Sequence, residues 1–311
     1  MKTISIANYG PLDEVVRTTD MPKPAPAPAE VLIQVRAAGV NPVDWKIAEG
    51  YMKSMRQFPM PLILGNEVAG VVAAVGSGVT GYKSGDEVYV RLDSAKCGAF
   101  AEFVAVDAKL VAPKPRSLDF TAAAGIPLAG LTAWQGLFEH LKLQNGQKVL
   151  IHAGSGGVGS FAIQFAVHIG AEVATTVGPT GLDMAKSLGA KYVIDYKSQR
   201  FEDSVKDFDA VYDTMGGETQ ARSLRVLKRG GVLVTIVGIG VDQNIAEKLG
   251  VSMKAFTMQP DGKQLVEIAG LVDAGAVKPI IDRIFTFDHG KQALLYSKTG
   301  RAKGKIVIKM S

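Results

Sequence analysis

Residues 148 to 159, Lys148-Val149-Leu150-Ile151-His152-Ala153-Gly154-Ser155-Gly156-Gly157-Val158-Gly159, set the architecture expected of the whole chain. The first six form a short, mostly apolar run of the kind that makes a buried parallel strand. Gly154 to Gly159 then satisfy G-x-G-x-x-G without a break. Beyond them Phe161, Ala162, Phe165, Ala166 and Ile169 recur at three- and four-residue intervals, which predicts a helix with one apolar face beginning at the glycines. Strand, glycine turn and helix in this order are a dinucleotide-binding signature. The first glycine permits the tight turn, the second lets a pyrophosphate approach bare backbone, and the third lets helix and strand pack closely. The helix N-terminus offers unpaired N–H groups to the anion.

The next strand, Glu172 to Val177, bears on which dinucleotide is bound. A site for NAD places Asp or Glu near that strand's end, roughly 20 residues past the glycines, to hold the ribose 2′-hydroxyl. Here the positions are Gly178, Pro179, Thr180 and Gly181. With no carboxylate to repel a 2′-phosphate, NADP(H) is favoured over NAD(H). No Arg or Lys stands on that loop, and the nearest later candidates are Tyr196 and Lys197.

A chain of 311 residues can hold two domains of ordinary size, each with its own core. With 47% hydrophobic and 21% charged residues it reads as globular and soluble. The net charge of +5 is spread along the chain without a run of five like charges, so no nucleic-acid partner is expected. Residues 1–10 lack the apolar core of a signal peptide, and no uncharged apolar stretch of about 18 residues has spanning character. No membrane association and a cytoplasmic location are therefore expected. The lone Cys97 excludes an internal disulfide, fits a reducing compartment and reads as a small buried hydrophobe.

Residues 1–125 carry short β-rich runs, such as Val31 to Ala37, Val68 to Val75 and Glu87 to Val90, punctuated by Pro and Gly turns. They predict a compact, barrel-like β domain. Thr121 to Leu141 reads as helical, broken at Pro127. Strand and helix then alternate: a helix over Leu182 to Leu188, strands over Tyr192 to Asp195 and Ala210 to Asp213, a helix over Thr219 to Leu227, and a strand over Val232 to Val237. That alternation argues for a parallel, doubly wound α/β sheet with its ligand at the carboxyl ends of the strands. A helix over Gln264 to Ala274 and two short strands, Ile284 to Phe287 and Lys305 to Lys309, return to the first domain. The expected division is 1–125, 126–262 and a returning 263–311.

With these pieces in place the sequence resembles the medium-chain dehydrogenase/reductase superfamily, in its zinc-free quinone oxidoreductase branch with zeta-crystallin and the alkenal/enone oxidoreductases. The resemblance runs end to end and is carried by Ala38 to Asp44, Gly65 to Val72, Gly85 to Val88, Gly125 to Ala133, Ala153 to Gly159 and Leu188-Gly189-Ala190 before Asp195-Tyr196. It implies a GroES-like catalytic domain, a Rossmann domain and a homodimer. Zinc-dependent relatives carry a Cys shortly before the Asp of the first motif, a His-Glu in the second, and a four-cysteine lobe. Here those places hold Val40-Asn41 and Asn66-Glu67, and the lobe's cysteines are missing, so no metal is expected.

Without a Lewis acid, oxidation of an alcohol has nothing obvious to stabilise an alkoxide. Hydride donation into a conjugated acceptor is less demanding, because the arriving charge spreads into an enolate that hydrogen-bond donors can hold. The resemblance implies the same reaction class: NADPH-dependent reduction of a quinone or of the C=C bond of an α,β-unsaturated carbonyl.

By the resemblance, Lys46 faces the substrate and the nicotinamide ribose and holds the substrate carbonyl oxygen; a solvated lysine is the plainer reading. Asn41 and Asp44 match an Asn-x-x-Asp pattern, Asn41 near cofactor and substrate and Asp44 holding a turn. Glu67 reads as a buried hydrogen-bonding residue. Thr132 is expected near the nicotinamide, Gly156, Gly157 and Val158 at the pyrophosphate, Gly178, Thr180 and Tyr196 around the 2′-phosphate, and Gly238 with Ile239 at the nicotinamide end. Relatives often carry a Lys where Gly181 stands. Lys305 fits a Gly-Lys pattern near the cofactor, with an edge-strand lysine as the commoner explanation. His152 reads as a packed core residue. Met52, Met55, Phe58, Met60 and Leu62 make an apolar segment that lines either the substrate pocket or the domain core. One-electron quinone reduction, and NADPH binding without turnover in an RNA-binding protein, are the competing readings. A basic stripe interleaved with aromatics would support the last, and none is present.

Overall fold

The computed structural model describes residues 1–93 and 96–310. In chain order the strands are β1 (Lys2–Ile6), β2 (Arg17–Asp20), β3 (Glu30–Val40), β4 (Leu62–Ile63), β5 (Glu67–Val75), β6 (Glu87–Arg91), β7 (Phe103–Asp107), β8 (Val111–Pro113), β9 (Lys148–Ile151), β10 (Glu172–Val177), β11 (Tyr192–Asp195), β12 (Phe208–Asp213), β13 (Leu227–Thr235), β14 (Ser252–Ala255), β15 (Ile281–Thr286) and β16 (Lys305–Lys309). The chain divides into two units: Met1–Leu131 with Gln259–Gly275 and Pro279–Ser311, and Thr132–Met258 with Ala276–Lys278. The division falls inside the helix Pro127–Trp134, and the return to the first unit begins at Gln259. The helical stretch is broken where expected: one helix ends at Ala124 and Pro127 starts the next, since at a first turn its missing N–H costs nothing.

The first unit is β-rich. One antiparallel sheet runs β2-β1-β4, and a larger one runs β15-β16-β3-β5-β6-β8, with β7 also paired to β3. Alternation along β3, β5 and β6 sends Val31, Ile33, Val35, Val68, Val72, Val88 and Val90 into a common core with Phe100, Ile306 and Ile308. β3 runs antiparallel to both β5 and β16, pairing Gly39 with Glu67 and Val40 with Ile306. The carboxyl end of β3 therefore meets the amino ends of β5 and β16. This register gathers Asn41, Glu67 and Lys305, which lie far apart in sequence.

The second unit holds a six-stranded, all-parallel sheet in the order β11-β10-β9-β12-β13-β14. In the unit's own count that is 3-2-1-4-5-6, the doubly wound order whose strand sequence reverses beside β9. Leu150, Ala174, Ile194, Val211 and Leu233 pack on one another at its centre. β13 is longer than the expected Val232–Val237, because Lys228 to Gly231 are absorbed into it as an irregularity between the Phe208–Leu227 and Ala210–Val232 pairs. The preceding helix accordingly ends early, at Ser223.

Candidate active site

β9 delivers the chain into the glycine turn through His152 and Ala153. Ala153 takes φ 52°, a left-handed conformation that strains a residue with a Cβ. A Cβ on Gly154 would lie 2.1 Å from Oγ1 of Thr175, and one on Gly159 2.3 Å from the carbonyl oxygen of Ala153, so packing alone demands glycine at both. At Gly156 a Cβ would meet only the Ala153 carbonyl, at 3.2 Å. Packing there is tight against one atom but far looser than at Gly154 or Gly159, and the bare backbone leaves room for a ligand to come close. Gly156 also starts the helix Gly157–His168, which has no side-chain cap and no acidic residue in its first turn. The first N–H groups, those of Gly157 and Val158 among them, thus stay available to an anion. This cradle fits the pyrophosphate of a dinucleotide.

Behind the turn His152 is fully buried, its Nδ1 2.9 Å from Oγ1 of Thr176 and its Nε2 2.8 Å from Oγ of Ser223. Burial pushes the imidazole down to about 4, so it is neutral at physiological pH. It is a hydrogen-bonded core residue, as expected.

At the end of β10, Gly178 leads into the single turn Pro179–Gly181, on which Thr180 is exposed. Tyr196, just past β11 and 59% exposed, has its hydroxyl 3.5 Å from where a Cβ on Gly178 would stand. Gly178 and Tyr196 are therefore neighbours on the carboxyl edge of the sheet. A Cβ on Gly181 would come within 2.7 Å of the Cβ of Ser155, so the lysine that relatives often place there would not fit without moving Ser155. Gly238 follows β13 at φ 88°, with Ile239 partly exposed beside it. Thr132 is buried, and its carbonyl accepts the Tyr212 hydroxyl at 2.7 Å. Gly136 lets the Tyr212 ring in, since a Cβ there would lie 2.6 Å from it, and the helix widens into a π-helical segment at Gln135–His140.

The first unit brings together a buried polar cluster. Oε1 of Glu67 accepts from Nδ2 of Asn41 at 2.7 Å and from the Lys305 ammonium at 2.8 Å, and Oε2 accepts the Leu128 N–H at 2.6 Å. Lys305 also donates to Oδ1 of Asn41. Asp44 accepts the Asn41 backbone N–H at 2.7 Å across the first turn of the helix Pro42–Ala48, and Nδ2 of Asn66 at 2.5 Å. Burial pushes the Asp44 carboxyl up to about 6, against the opposing pull of those two hydrogen bonds. Lys305 corrects an expectation: β16 lies between β15 and β3, so this is no edge-strand lysine but a buried one. The Gly304-Lys305 pattern was the available signal, and a strand's neighbours cannot be read from its own residues.

Lys46 lies in the last turn of the same helix, half-buried, its ammonium 5.7 Å from the Trp45 ring. Among the described residues it has no hydrogen-bond or ion-pair partner. Lys46 and Asn41 belong to the first unit; Thr132, the glycine turn, Gly178, Thr180, Tyr196, Gly238 and Ile239 belong to the second. Of the apolar segment, Met52, Phe58 and Met60 pack against the first unit's core, whereas Met55 is exposed. Cys97 is half-buried, and burial pushes its thiol up to about 12.

Among the described residues no group of three or more His, Cys, Asp or Glu side chains could hold a metal ion. The places where zinc-dependent relatives carry ligands offer two amides, Asn41 and Asn66, and a glutamate already engaged by Lys305. That donor set does not fit zinc, which takes thiolate, imidazole or free carboxylate. Among the described residues no helix is long and apolar enough to cross a membrane.

Comparison with known proteins matches residues 27–116 to the alcohol dehydrogenase GroES-like domain and residues 188–308 to the zinc-binding dehydrogenase domain. A 2-methylene-furan-3-one reductase of Solanum lycopersicum is 40% identical over 319 residues, covering 99% of this chain and 79% of the relative. An NADPH-dependent alkenal/one oxidoreductase of Arabidopsis thaliana, described as chloroplastic, is 35% identical over 318 residues with the same coverage, 99% and 79%. Among solved structures, the quinone oxidoreductase from Coxiella burnetii superposes with a TM-score of 0.92 at 31% identity, covering 100% of this chain and 99% of its own.

Proposed function

This chain belongs to the medium-chain dehydrogenase/reductase family, and from that premise we propose an NADPH-dependent reductase of quinones or of the C=C bond of α,β-unsaturated carbonyls, working without zinc. The observation that carries the reading is the glycine turn, where Gly154 and Gly159 are imposed by packing while Gly156 is left bare at an uncapped helix start.

NADPH, when bound, supplies the hydride. The chain's own residues bind and polarise. The N–H groups of Gly157 and Val158 hold the pyrophosphate beside the bare backbone of Gly156, whose own N–H donates to the Ala153 carbonyl at 2.9 Å; Gly178, Thr180 and Tyr196 line the 2′-phosphate; Thr132, Gly238 and Ile239 line the nicotinamide end. Lys46, with no hydrogen-bond or ion-pair partner among the described residues, donates to the substrate carbonyl oxygen and stabilises it as it takes on enolate charge. Asn41, fixed by Glu67 and Lys305, starts the helix that carries Lys46. The resemblance supports a homodimer, and the single cysteine fits the cytoplasm.

Loss of NADPH absorbance against short enals, long-chain enones and quinones tests the activity. Turnover of one class identifies the substrate. Tight NADPH binding with no turnover across all three would replace the enzyme with a binding protein, and stoichiometric zinc in active protein would overturn the metal-free mechanism.

A further inference from the structure

One side chain ties together the carboxyl ends of β12 and β13. Gln220, fully buried in the helix Gly217–Ser223, uses both ends of its amide. Nε2 donates to Oδ2 of Asp213 at 2.9 Å and to the Gly238 carbonyl at 3.1 Å, while Oε1 accepts the Gly240 N–H at 2.8 Å. Asp213, also fully buried, accepts the backbone N–H groups of Met215 and Gly216 on its other oxygen, both at 2.9 Å. An amide and a carboxylate thus fix the turn after β12 and the loop after β13 at once. Burying them has a desolvation cost that apolar side chains of the same volume would not carry, so what they contribute is geometry.

That geometry has a visible product. Met215, Val237 and Ile239 are held 57%, 47% and 36% exposed along the ligand-binding edge of a doubly wound sheet. The two loops touch, since a Cβ on Gly216 would lie 2.9 Å from Cγ2 of Val237. Gly238 is held at φ 88°, where its carbonyl faces Gln220.

We propose that Gln220, through Asp213 and the Gly238–Gly240 loop, is a positioning residue for the nicotinamide half of the dinucleotide, and leaves the adenosine half untouched. The inference rests on the NADPH-dependent reading above. Gln220→Glu keeps the shape but turns an oxygen toward the Asp213 carboxylate and the Gly238 carbonyl, and Gln220→Leu removes the donors without adding charge. In both variants the Kd for NADPH is expected to rise about tenfold, the scale of one or two neutral hydrogen bonds lost, while 2′,5′-ADP, which carries only the adenosine end, binds as it does to the unmodified protein. For Gln220→Glu alone the loss should shrink at acidic pH, as the new carboxyl protonates. Equal weakening of both ligands, or weakening of neither in a variant with an unchanged melting curve, overturns the proposal. Failure of the unmodified protein to bind either ligand removes the dinucleotide reading itself, an outcome separate from these. Should Gln220→Glu fail to fold, Gln220→Leu read against the same two ligands decides.

Discussion

The Lys305 ammonium lies 2.8 Å from Oε1 of Glu67, with the two side chains 3% and 0% exposed. Neither charge can turn to water, and Asn41 bridges them by donating to Glu67 and accepting from Lys305. Removing one partner of such a pair leaves an uncompensated buried charge. Lys305→Met should therefore cost about 3–5 kcal/mol in urea unfolding, whereas adding Glu67→Gln to it should restore part of that loss. An additive double variant would mean the pair is not coupled.

The glycines of the turn divide by cause. Gly154→Ala drives a methyl into Thr175 and should lower stability by about 1–3 kcal/mol whether or not nucleotide is present. Gly156→Ala should melt close to the unmodified protein yet bind NADPH at least about tenfold more weakly, since its methyl enters the space left for the ligand. Thermal melts with and without NADPH separate the two outcomes.

Two buried groups oppose each other in their response to pH. Asp44, raised to about 6, stays protonated in the folded chain over a range where the unfolded chain has already released its proton. The folded state binds more protons there, so this contribution to stability falls as pH rises from about 4 to about 6 and is flat above. His152, lowered to about 4, is neutral when folded but protonated when unfolded, so its contribution falls as pH drops from about 6.5 to about 4. Each amounts to something on the order of 3 kcal/mol. Asp44→Asn should make the protein more acid-sensitive relative to the unmodified chain over this window, and His152→Gln less so. Urea unfolding at a series of pH values checks both signs.

Lys46→Ala should lower kcat/KM by roughly tenfold or more, because one donor to a developing oxyanion can be worth about 10²–10³. Its ammonium has no hydrogen-bond or ion-pair partner among the described residues and only a distant Trp45 ring, 5.7 Å away, so stability should change by less than about 0.5–1 kcal/mol. Unchanged kinetics would assign it to solvent.

Local features were legible wherever the cause was local. The strand, the glycine turn and the helix after it could be read from adjacent residues, and so could the absence of a carboxylate at Gly178 to Gly181. What misled did so for identifiable reasons. Lys228 to Gly231 lie outside the expected strand, yet β13 absorbs them because β12 supplies the pairing on either side. Lys305 reads as an edge lysine until β15 and β3 flank it. Gln220 sits in a short helix with nothing in its neighbours to distinguish it, since its partners lie on two separate strand ends.

The sequence by itself determined the class of fold, the nucleotide turn and the family, because hydrophobic period, glycine spacing and ordered motifs are properties of neighbouring residues. Only the tertiary structure decided which polar side chains are buried together. Asn41 and Lys305 are 264 positions apart, and they meet because antiparallel register brings the ends of β3 and β16 to one place. A charge that can be held only by residues brought from across the chain has no signature in the stretch that carries it.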